Sequence, residues 1–440
     1  MNQSIAPIEQ YTAAFEQFEK QTAGKEPDWL HQIRKEAFAY LQETGFPNSR
    51  MEEWRHTNLS PLLQQSFQLC RDDRHDVAAD EILPFLVENL DAHQLVFING
   101  RLDPKLSDLH GLPEGVRVES IASLLQTDAA RLEPYLACQG SFEGSIFAAL
   151  NTAFMQDGAY IYIPKGAAVD KPIHFLYYSA PNGEHLASHP RSVIVAGQSS
   201  QAVIIESYAG RCGEEYFTNA VTEVALGPNA SIEQCKLQRD SDKAYHMTVL
   251  QAHLDRDSRY KHHSIILGGG FVRNDIHSIL DAEGIHCTLN GLSMADGNRH
   301  IDNHTWIRHA KPNCESHELY KGILDDKSSG VFKGQIYVAK DAQKTDAKQA
   351  NQTLLLSDEA EMNSMPQLEI YADDVKCTHG ATTGQLDDDA IFYLQSRGVN
   401  QKAARSLLTY AFANEIVHQI GCEPIRGQLD RLLHERLPMA

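Results

Sequence analysis

One short segment near the C-terminus holds the two side chains with the clearest potential for metal chemistry. Cys377 and His379 are separated by a single residue in the run 375–379. If this run is extended, both side chains point to one face of the strand, because alternate residues share a face. Thiolate and imidazole ligate soft and borderline metals, including iron in sulfide clusters, and a neighbouring cation such as Lys376 would favour the thiolate.

Two ligands cannot close a metal site alone. The remaining ligands would have to come from elsewhere in the chain or from another subunit, so a shared site at an interface is one geometry that fits. A Cys-x-His pair is also compatible with a buried thiol beside a hydrogen-bonded histidine, and the residues alone favour this structural interpretation. Both interpretations of Cys377 and His379 stay open at this point.

A second group of potential ligands is a set of three histidines between residues 300 and 309. His300 and His304 are four residues apart and share one face of either a strand or a helix. Together with His309 they would form the metal site of a histidine-based metal hydrolase, although zinc normally needs three or four converging ligands. In a repetitive β region, polar side chains that satisfy one another are the more common arrangement.

The elements that must position both groups are short strands, because the hydrophobic period changes to two from residue 159 onward. Apolar alternation marks strands at 160–163, 173–178, 193–195 and 203–205. Turn clusters then begin near Gly227, Arg239, Arg256, Gly268, Asp281 and Ala295. The similar spacing of these turns predicts a β-helix. A β-sandwich or a propeller usually shows tight two-residue hairpin loops, and most of these turns are longer.

The chain before the β region is predicted to be mainly helical. Apolar residues three and four apart predict helices over 8–20 and 28–44, and Gly45 ends the second helix. The stretch 70–150 is mixed, with a strand over 95–98 that precedes an Asn-Gly turn.

Three helices are predicted after the β region ends at Gly384. Carboxylates from Asp387 onward begin the first helix, Gly398 ends it, and Asn400 caps the second. The second helix has one apolar stripe: Ala404, Leu407, Leu408, Ala411, Phe412, Ile416 and Ile420. This stripe fits either packing within the chain or docking of a partner. The predicted domains are an N-terminal mainly helical region (1–150), a β-helix core (151–385) and a C-terminal helical region (386–440).

Composition excludes several functional classes. The 440 residues include 39 Lys+Arg and 59 Asp+Glu, a net charge of -20, without a dense basic and aromatic run, so we expect no nucleic-acid binding. Because the sequence has no secretory signal and no apolar run of about 18 residues, we expect a cytoplasmic protein without a membrane segment. The eight cysteines are scattered without a CxxC pair, and we expect reduced thiols.

Familiar enzyme signatures do not occur in the sequence. It contains no GxxxxGK[ST] phosphate loop, no GxGxxG after a strand, no GxSxG elbow and no HExxH. We therefore expect no nucleotide site in this chain and no autonomous nucleotide hydrolysis. A β-helical carbohydrate-active enzyme, which would use carboxylates in a solenoid groove, is a further alternative, and the missing secretory signal argues against it.

Several long strings of residues match one protein family in order. The densest are ADDVKCTHGAT at 372–382, which contains Cys377 and His379, and FYLQSRG at 392–398. Further matches are DNHT at 302–305, YKGIL at 320–324, GVFKG at 330–334, AQKTDA at 342–347 and LLLS at 354–357. With these strings the sequence resembles the SufB/SufD family of the SUF iron–sulfur cluster assembly system. EEWRHT at 52–57 and the VKCTH segment favour the SufD branch of that family over the SufB branch.

The resemblance implies a right-handed parallel β-helix core flanked by helical N- and C-terminal regions. It also implies a non-enzymatic scaffold subunit that pairs with a SufB-like paralogue through the β-helical cores and docks one SufC-like ATPase. The docking surface then maps to the C-terminal helical region over about 387–418. Its candidate residues are Asp387, Phe392, Tyr393, Arg397, Leu408 and Phe412.

The resemblance further implies that Cys377 and His379 are ligands of a transient iron–sulfur cluster shared with SufB at their interface. It associates reduced flavin with the full complex, although no motif here locates a flavin site. Without its partner, the chain could form a homodimer through the same β-helix surface. A purely architectural partner, with the cluster carried by SufB alone, remains an alternative.

Overall fold

Side chains alternate between the inside and the outside of a coil of strands, as the period of two in the sequence requires. The structure is a computed structural model, and it describes residues 5–70, 77–137, 142–183 and 185–437. Within these ranges the chain is mainly β, with a parallel β-solenoid of about eight turns flanked by N-terminal and C-terminal helices. The predicted fold class is confirmed.

Helices occur on both sides of the solenoid. Those in the described ranges are α1 (Ile5–Thr22), α2 (Asp28–Thr44), α3 (Ser60–Leu63), α4 (Ala79–Ile82), α5 (Ile121–Thr127), α6 (Ile146–Phe154), α7 (Asp388–Ser396), α8 (Gln401–Val417) and α9 (Glu423–Arg436). Short 3₁₀ helices cover Glu52–Trp54, Leu83–Phe85 and Ala129–Arg131. The two helices predicted near the N-terminus correspond to α1 and α2, and Gly45 ends α2 as predicted by donating its N–H to the Leu41 carbonyl.

Strands make up the central part of the chain. The first ten are β1 (Gln68–Leu69), β2 (His93–Ile98), β3 (Arg101–Leu102), β4 (Arg117–Ser120), β5 (Ala159–Ile163), β6 (Ile173–Ser179), β7 (Leu186–Ser188), β8 (Arg191–Ala196), β9 (Gln201–Gly210) and β10 (Tyr216–Leu226). They are followed by β11 (Ser231–Arg239), β12 (Tyr245–Leu254), β13 (Arg259–Ile266), β14 (Phe271–Leu280), β15 (His286–Ala295), β16 (His300–His309), β17 (Glu315–Leu324), β18 (Ser329–Val338), β19 (Asp346–Leu355), β20 (Glu361–Ile370) and β21 (Lys376–Gly384). The predicted strand before the Asn-Gly turn is β2, and the predicted end of the β region at Gly384 is confirmed.

The strands coil into two facing sheets. The first sheet has the order β20-β18-β16-β14-β12-β10-β8-β5-β4, and the second has the order β21-β19-β17-β15-β13-β11-β9-β6-β2-β3. From β8 onward, strands that are consecutive in the chain alternate between the sheets, so hydrogen-bonded neighbours are one full turn of the solenoid apart. Pairing of β2 with β6 and of β4 with β5 extends both sheets into the chain before residue 151.

A stack of left-handed residues builds one corner of the solenoid. From the β8–β9 turn to the β18–β19 turn, those that lead from the first sheet to the second each contain a residue with positive φ: Ser199, Asn229, Asp257, Gly284, Asn313 and Lys344. Gly, Asn and Asp adopt this conformation most readily. Backbone hydrogen bonds join successive turns, for example from the Asn229 N–H to the Arg256 carbonyl at 2.7 Å. The turns predicted near Gly227, Arg256 and Asp281 all lie at this corner.

Apolar side chains fill most of the solenoid interior, but some inward positions are polar. The largest core cluster contains inward residues of both sheets, among them Ile204, Leu250 and Ile307. In the second sheet, inward polar residues share one register row: Gln234 (β11), His262 (β13), Glu318 (β17), Gln349 (β19) and His379 (β21). Leu289 of β15 interrupts this row between His262 and Glu318. Glu318 and Gln349 are therefore the polar residues of this row on the two strands that precede the last strand of the sheet.

Helices cover the outer faces of both sheets. The N-terminal helices pack on the first sheet in a cluster that joins Phe38 to Phe217. The C-terminal helices pack on the second sheet in a cluster that joins Ile416 to Ile265. None of the helices in the described ranges is both long and apolar enough to cross a membrane. No disulfide joins the cysteines within these ranges, and Cys138 lies outside the described residues.

Candidate functional site

The predicted ligand pair lies on the last strand of the solenoid. Cys377 and His379 belong to β21, which is extended as predicted, so their side chains share a face. In register, Cys377 lies beside Ala347 and His379 lies beside Gln349. Because Ala347 belongs to the interior core cluster, both predicted ligands face the interior side of the solenoid at its C-terminal end.

This C-terminal end of the solenoid is uncovered. Among the residues that the structure describes, β21 pairs with β19 alone, and most of its side chains are exposed, whereas most side chains of β13 in the middle of the sheet are buried. Cys377 is half-buried against the core, and His379 is exposed. Beside β21, Ile370 is 39% exposed and Tyr371 is 59% exposed. An open strand edge next to exposed apolar side chains is typical of a surface that another chain covers.

The thiol of Cys377 is not activated by its own strand. Burial raises the pKa of Cys377, a backbone hydrogen bond with Ala347 opposes this shift, and Asp346 adds to it. The expectation that Lys376 favours the thiolate is therefore wrong. Adjacent residues of a strand point to opposite faces, so the Lys376 ammonium is directed away from the thiol. Metal binding at Cys377 would have to drive its deprotonation.

Within the described ranges, no group of three or more His, Cys, Asp and Glu side chains is arranged to hold a metal ion. Cys377 and His379 could supply at most two of the four ligands that a tetrahedral iron or zinc centre takes. A complete site at this end would need further ligands, from elsewhere in the chain or from another subunit.

The three histidines of β16 do not converge on one point. His300 and His304 lie on the outer face of the first sheet, whereas His309 lies on its inner face and is fully buried. The His309 Nε2 lies 2.8 Å from Ser316 Oγ, and burial lowers the pKa of His309 to about 4. The His304 Nε2 lies 3.0 Å from Asp302 Oδ1. Each histidine has its own polar partner, which is the arrangement that the repetitive sequence favours.

The segment 52–57 packs onto the outer face of the first sheet. Its 3₁₀ helix places Trp54 against Arg273, whose guanidinium carbon lies 3.7 Å from the indole ring centroid. Thr57 donates a hydrogen bond of 2.6 Å to the buried carboxylate of Asp302. The segment thus fastens the N-terminal region to the middle of the solenoid.

Charge pairing strengthens this attachment. The Glu53 carboxylate lies 2.6 Å from the Lys333 ammonium and 3.5 Å from His304 Nδ1. A hydrogen bond with His304, together with the contacts to Lys333, lowers the pKa of Glu53 to about 2. Although burial alone would raise it, the pKa of Asp302 is held well below its usual range by His304 and Arg273. Both carboxylates therefore stay ionised at neutral pH.

Two of the predicted docking residues form an exposed aromatic pair on α7. Phe392 is 71% exposed and Tyr393 is 58% exposed. Asp387 caps the helix by accepting a hydrogen bond of 2.9 Å from the Asp389 N–H. Arg397 donates a hydrogen bond of 3.2 Å to the Tyr393 hydroxyl. The capped helix thus presents the aromatic pair to solvent.

The apolar stripe of α8 is largely used within the chain. Ile416 and Ile420 are buried in the cluster that joins the C-terminal helices to the second sheet. The Lys321 ammonium lies 4.2 Å from the Phe412 ring centroid and donates a hydrogen bond of 3.1 Å to the Phe412 carbonyl. Leu408 is half-buried. Of the predicted docking residues, those on α7 are thus more accessible than those on α8.

Sequence patterns do not point to two further residues of this row, Gln349 beside His379 and Glu318 beside Gln349. The Gln349 Nε2 donates a hydrogen bond of 2.8 Å to Glu318 Oε2, and both side chains are buried inside the solenoid. Burial raises the pKa of Glu318 to about 7, against the opposing effect of hydrogen bonds with Thr305 and Gln349. Strand register is the signal that could have found them, because Glu318, Gln349 and His379 follow each other at one-turn spacing.

Comparisons with known proteins match nearly the whole chain. Residues 178–412 match the family model "SUF system FeS cluster assembly, SufBD core domain", and residues 5–175 match "SufBD protein N-terminal region". The chain is similar to an iron–sulfur cluster assembly SufBD family protein of Synechocystis sp., with 34% identity that covers 92% of this chain and 91% of the relative. It is also similar to iron–sulfur cluster assembly protein SufD of Escherichia coli, with 32% identity that covers 90% of this chain and 91% of the relative. Iron–sulfur cluster assembly protein SufD of Bacillus subtilis is 25% identical to this chain, and the match covers 94% of this chain and 95% of the relative.

Proposed function

This chain belongs to the SufBD family of SUF iron–sulfur cluster assembly proteins, and from that premise we propose that it is a non-enzymatic scaffold subunit of the SUF machinery. It pairs with a SufB-like paralogue and docks a SufC-like ATPase. The observation that carries the proposal is the position of Cys377 and His379, side by side on the open terminal strand of the solenoid.

The open C-terminal end of the solenoid is the proposed pairing surface. The free edge of β21 offers backbone N–H and C=O groups to another chain, and Ile370 and Tyr371 add apolar surface beside it. A paralogue with the same kind of terminal strand would cover both features at once. A second copy of this chain offers an identical surface, so a homodimer forms when the paralogue is missing.

The iron–sulfur cluster is the cargo of this interface. In the proposal, the Cys377 thiolate and the His379 imidazole bind iron, and the SufB-like partner supplies the remaining ligands. Sulfur arrives as a persulfide on the partner, a form that thiolates carry reversibly, and its release as sulfide takes two electrons from a reductant such as reduced flavin. Because each subunit supplies only part of the ligand set in this proposal, the cluster remains transferable. These thiol steps call for a reducing compartment such as the cytoplasm. The reduced flavin expected of the full complex is assigned to no residue of this chain.

Docking of the ATPase is assigned to the C-terminal helices. The proposed docking residues are Asp387, Phe392, Tyr393, Arg397, Leu408 and Phe412. The exposed pair Phe392 and Tyr393 supports this assignment, because aromatic side chains are enriched at the centres of protein interfaces. Lys321 connects α8 to the second sheet. Closure of the ATPase on ATP would therefore move these helices and remodel the cluster interface by a hinge-like change.

The test is anaerobic reconstitution of the co-expressed complex. The chain is produced with a SufB-like and a SufC-like protein as wild type, Cys377→Ala or His379→Ala, and iron, sulfide and visible absorbance are measured. We expect an intact complex that has lost most of its cluster in one or both variants, because a ligand has been removed.

A matched control is Thr378→Ala, which changes an exposed residue between the two ligands that points to the opposite face of β21. We expect full cluster content in this variant. Wild-type cluster in both ligand variants would contradict the ligand role and favour an architectural subunit, with the cluster carried by the paralogue alone. Failure to form any complex with the two partners would contradict the scaffold role.

A further inference from the structure

Gln349, the register neighbour of His379, carries an amide oxygen without a hydrogen-bond partner. The Gln349 side chain is 3% exposed, and its Oε1 contacts no donor among the described residues. Buried acceptors without a donor are rare in folded proteins, and each one calls for an explanation. The missing donor is therefore expected to come from a group that reaches this point in the working protein.

The orientation of the Gln349 amide is set by Glu318, one turn further inside the solenoid. The Gln349 Nε2 donates to Glu318 Oε2 at 2.8 Å, and Glu318 is itself buried. In this orientation the NH₂ group of the amide faces Glu318. This arrangement leaves Oε1 for a donor on another side.

Space for this amide is provided by Gly334 on the facing sheet. A Cβ atom at position 334 would lie 2.2 Å from Gln349 Nε2. Any other residue at this position would push the amide out of its place, so Gly334 and Glu318 together hold Gln349 where it is. A side chain held by two neighbours on two sheets is well suited to orient a third.

We propose that Gln349 is a positioning residue for His379. Its Oε1 accepts the N–H of one imidazole nitrogen, which fixes the tautomer and leaves the other nitrogen free to bind iron at the open end. Neighbouring parallel strands are about 4.8 Å apart, and both residues share a face, so rotation of the exposed His379 side chain brings its ring to Gln349. This inference rests on the proposed ligand role of His379.

The test compares the wild type with Gln349→Met, which keeps the approximate volume and removes the acceptor. The tautomer of His379 is measured by ¹⁵N NMR of the histidine-labelled, metal-free chain, and Fe²⁺ affinity is measured anaerobically in the complex with the SufB-like and SufC-like partners. We expect Gln349→Met to shift the tautomer populations of His379 and to weaken Fe²⁺ binding about 10- to 100-fold.

The matched control is Thr353→Val, which removes another buried, unpartnered polar atom from the same strand, two inward positions away and beside Thr383. We expect it to leave the His379 tautomer and Fe²⁺ affinity unchanged. Wild-type values for both in Gln349→Met, when His379→Ala loses Fe²⁺, would overturn the positioning role and leave the proposed function intact. Unchanged Fe²⁺ binding in His379→Ala would overturn both. If Gln349→Met does not assemble, Gly334→Ala displaces the same amide, and the same two outcomes apply.

Discussion

Thr57 donates a hydrogen bond of 2.6 Å to Asp302, a residue 245 positions later in the chain. The same carboxylate accepts a hydrogen bond of 2.8 Å from Arg273 Nη1 and lies 3.0 Å from His304 Nε2. A buried carboxylate is stable only when its oxygens are paired in this way. The N-terminal segment therefore completes a site in the solenoid that would otherwise hold an underpaired charge.

Removing the Thr57 hydroxyl should destabilise the protein more than its small size suggests. Thr57→Val keeps the shape of the side chain but leaves one oxygen of a buried, ionised Asp302 short of a donor. We expect a loss of about 1.5–3 kcal/mol in the free energy of unfolding, because this is what a hydrogen bond to a charged group contributes. Urea unfolding at pH 7 measures this difference.

The control for this change is Thr382→Val on the exposed face of β21. Surface substitutions away from special contacts usually change stability by at most about 0.5 kcal/mol. Equal destabilisation by the two substitutions would contradict the role given to the hydrogen bond between Thr57 and Asp302.

The attachment of segment 52–57 should depend on pH with a defined sign. The pKa of Glu53 falls from its usual 4.5 to about 2 in the folded protein, through His304 first and then Lys333. A carboxylate with a lowered pKa stabilises the fold fully above pH 4.5 and loses this contribution as the pH falls towards 2. The pKa of His304 is raised above its usual 6.5 in the folded state, so its contribution is complete below that pH and is lost as the pH rises through the raised value.

We therefore expect the difference in urea midpoint between wild type and Glu53→Gln to be largest between about pH 4.5 and 6.5 and to shrink on either side of that window. The more exposed Glu52→Gln is the matched control, since Glu52 lies 3.8 Å from the same ammonium. A midpoint difference for Glu53→Gln that stays constant down to pH 3 would contradict the assignment.

Local repetition explains why much of the fold was predictable. Turns near Gly227, Arg256 and Asp281 recur because successive turns of the solenoid here use one corner residue in a left-handed conformation, and the sequence has Asn229, Asp257 and Gly284 there. Alternation within one strand was enough to predict that Cys377 and His379 share a face. Both arguments use only residues that are close in the chain.

Relationships between distant residues could not be predicted in this way. That Thr57 reaches Asp302 depends on how a loop folds back over the sheet, which no local pattern encodes. The place of Gln349 beside His379 depends on strand register, and a slip of one residue would turn the side chain to the other face. The effect expected of Lys376 on Cys377 failed for a related reason, because proximity in sequence along a strand is not proximity of side chains.

Lys321 should hold the C-terminal helices to the solenoid. Its ammonium is nearly buried, donates to the Phe412 carbonyl and pairs with Glu415. Lys321→Met removes both contacts, and hydrogen bonds to charged groups are worth about 1.5–3 kcal/mol. We expect the free energy of opening of α8, measured by hydrogen exchange, to fall by a similar amount, and that of β12 to β16 to stay unchanged. Lys327→Met, which breaks an exposed pair with Glu359, is the control and should cost less than about 1 kcal/mol. Wild-type protection of α8 in Lys321→Met would exclude this role.

The exposed aromatic pair on α7 should matter for partner capture and not for folding. Phe392→Ser removes a side chain that is 71% exposed, so we expect the free energy of unfolding to change by no more than about 0.5 kcal/mol. If α7 docks the SufC-like ATPase, loss of a central aromatic should cost about 2 kcal/mol or more of binding free energy, which is at least a 10-fold rise in Kd measured by calorimetry.

The control is Leu83→Ser, which changes an apolar residue that is similarly exposed, at 61%, and far from α7 in the chain. We expect this substitution to leave the affinity for the ATPase unchanged. Equal affinities for Phe392→Ser and Leu83→Ser would move the docking surface away from α7, because the two substitutions remove similar apolar area and differ mainly in where that area lies.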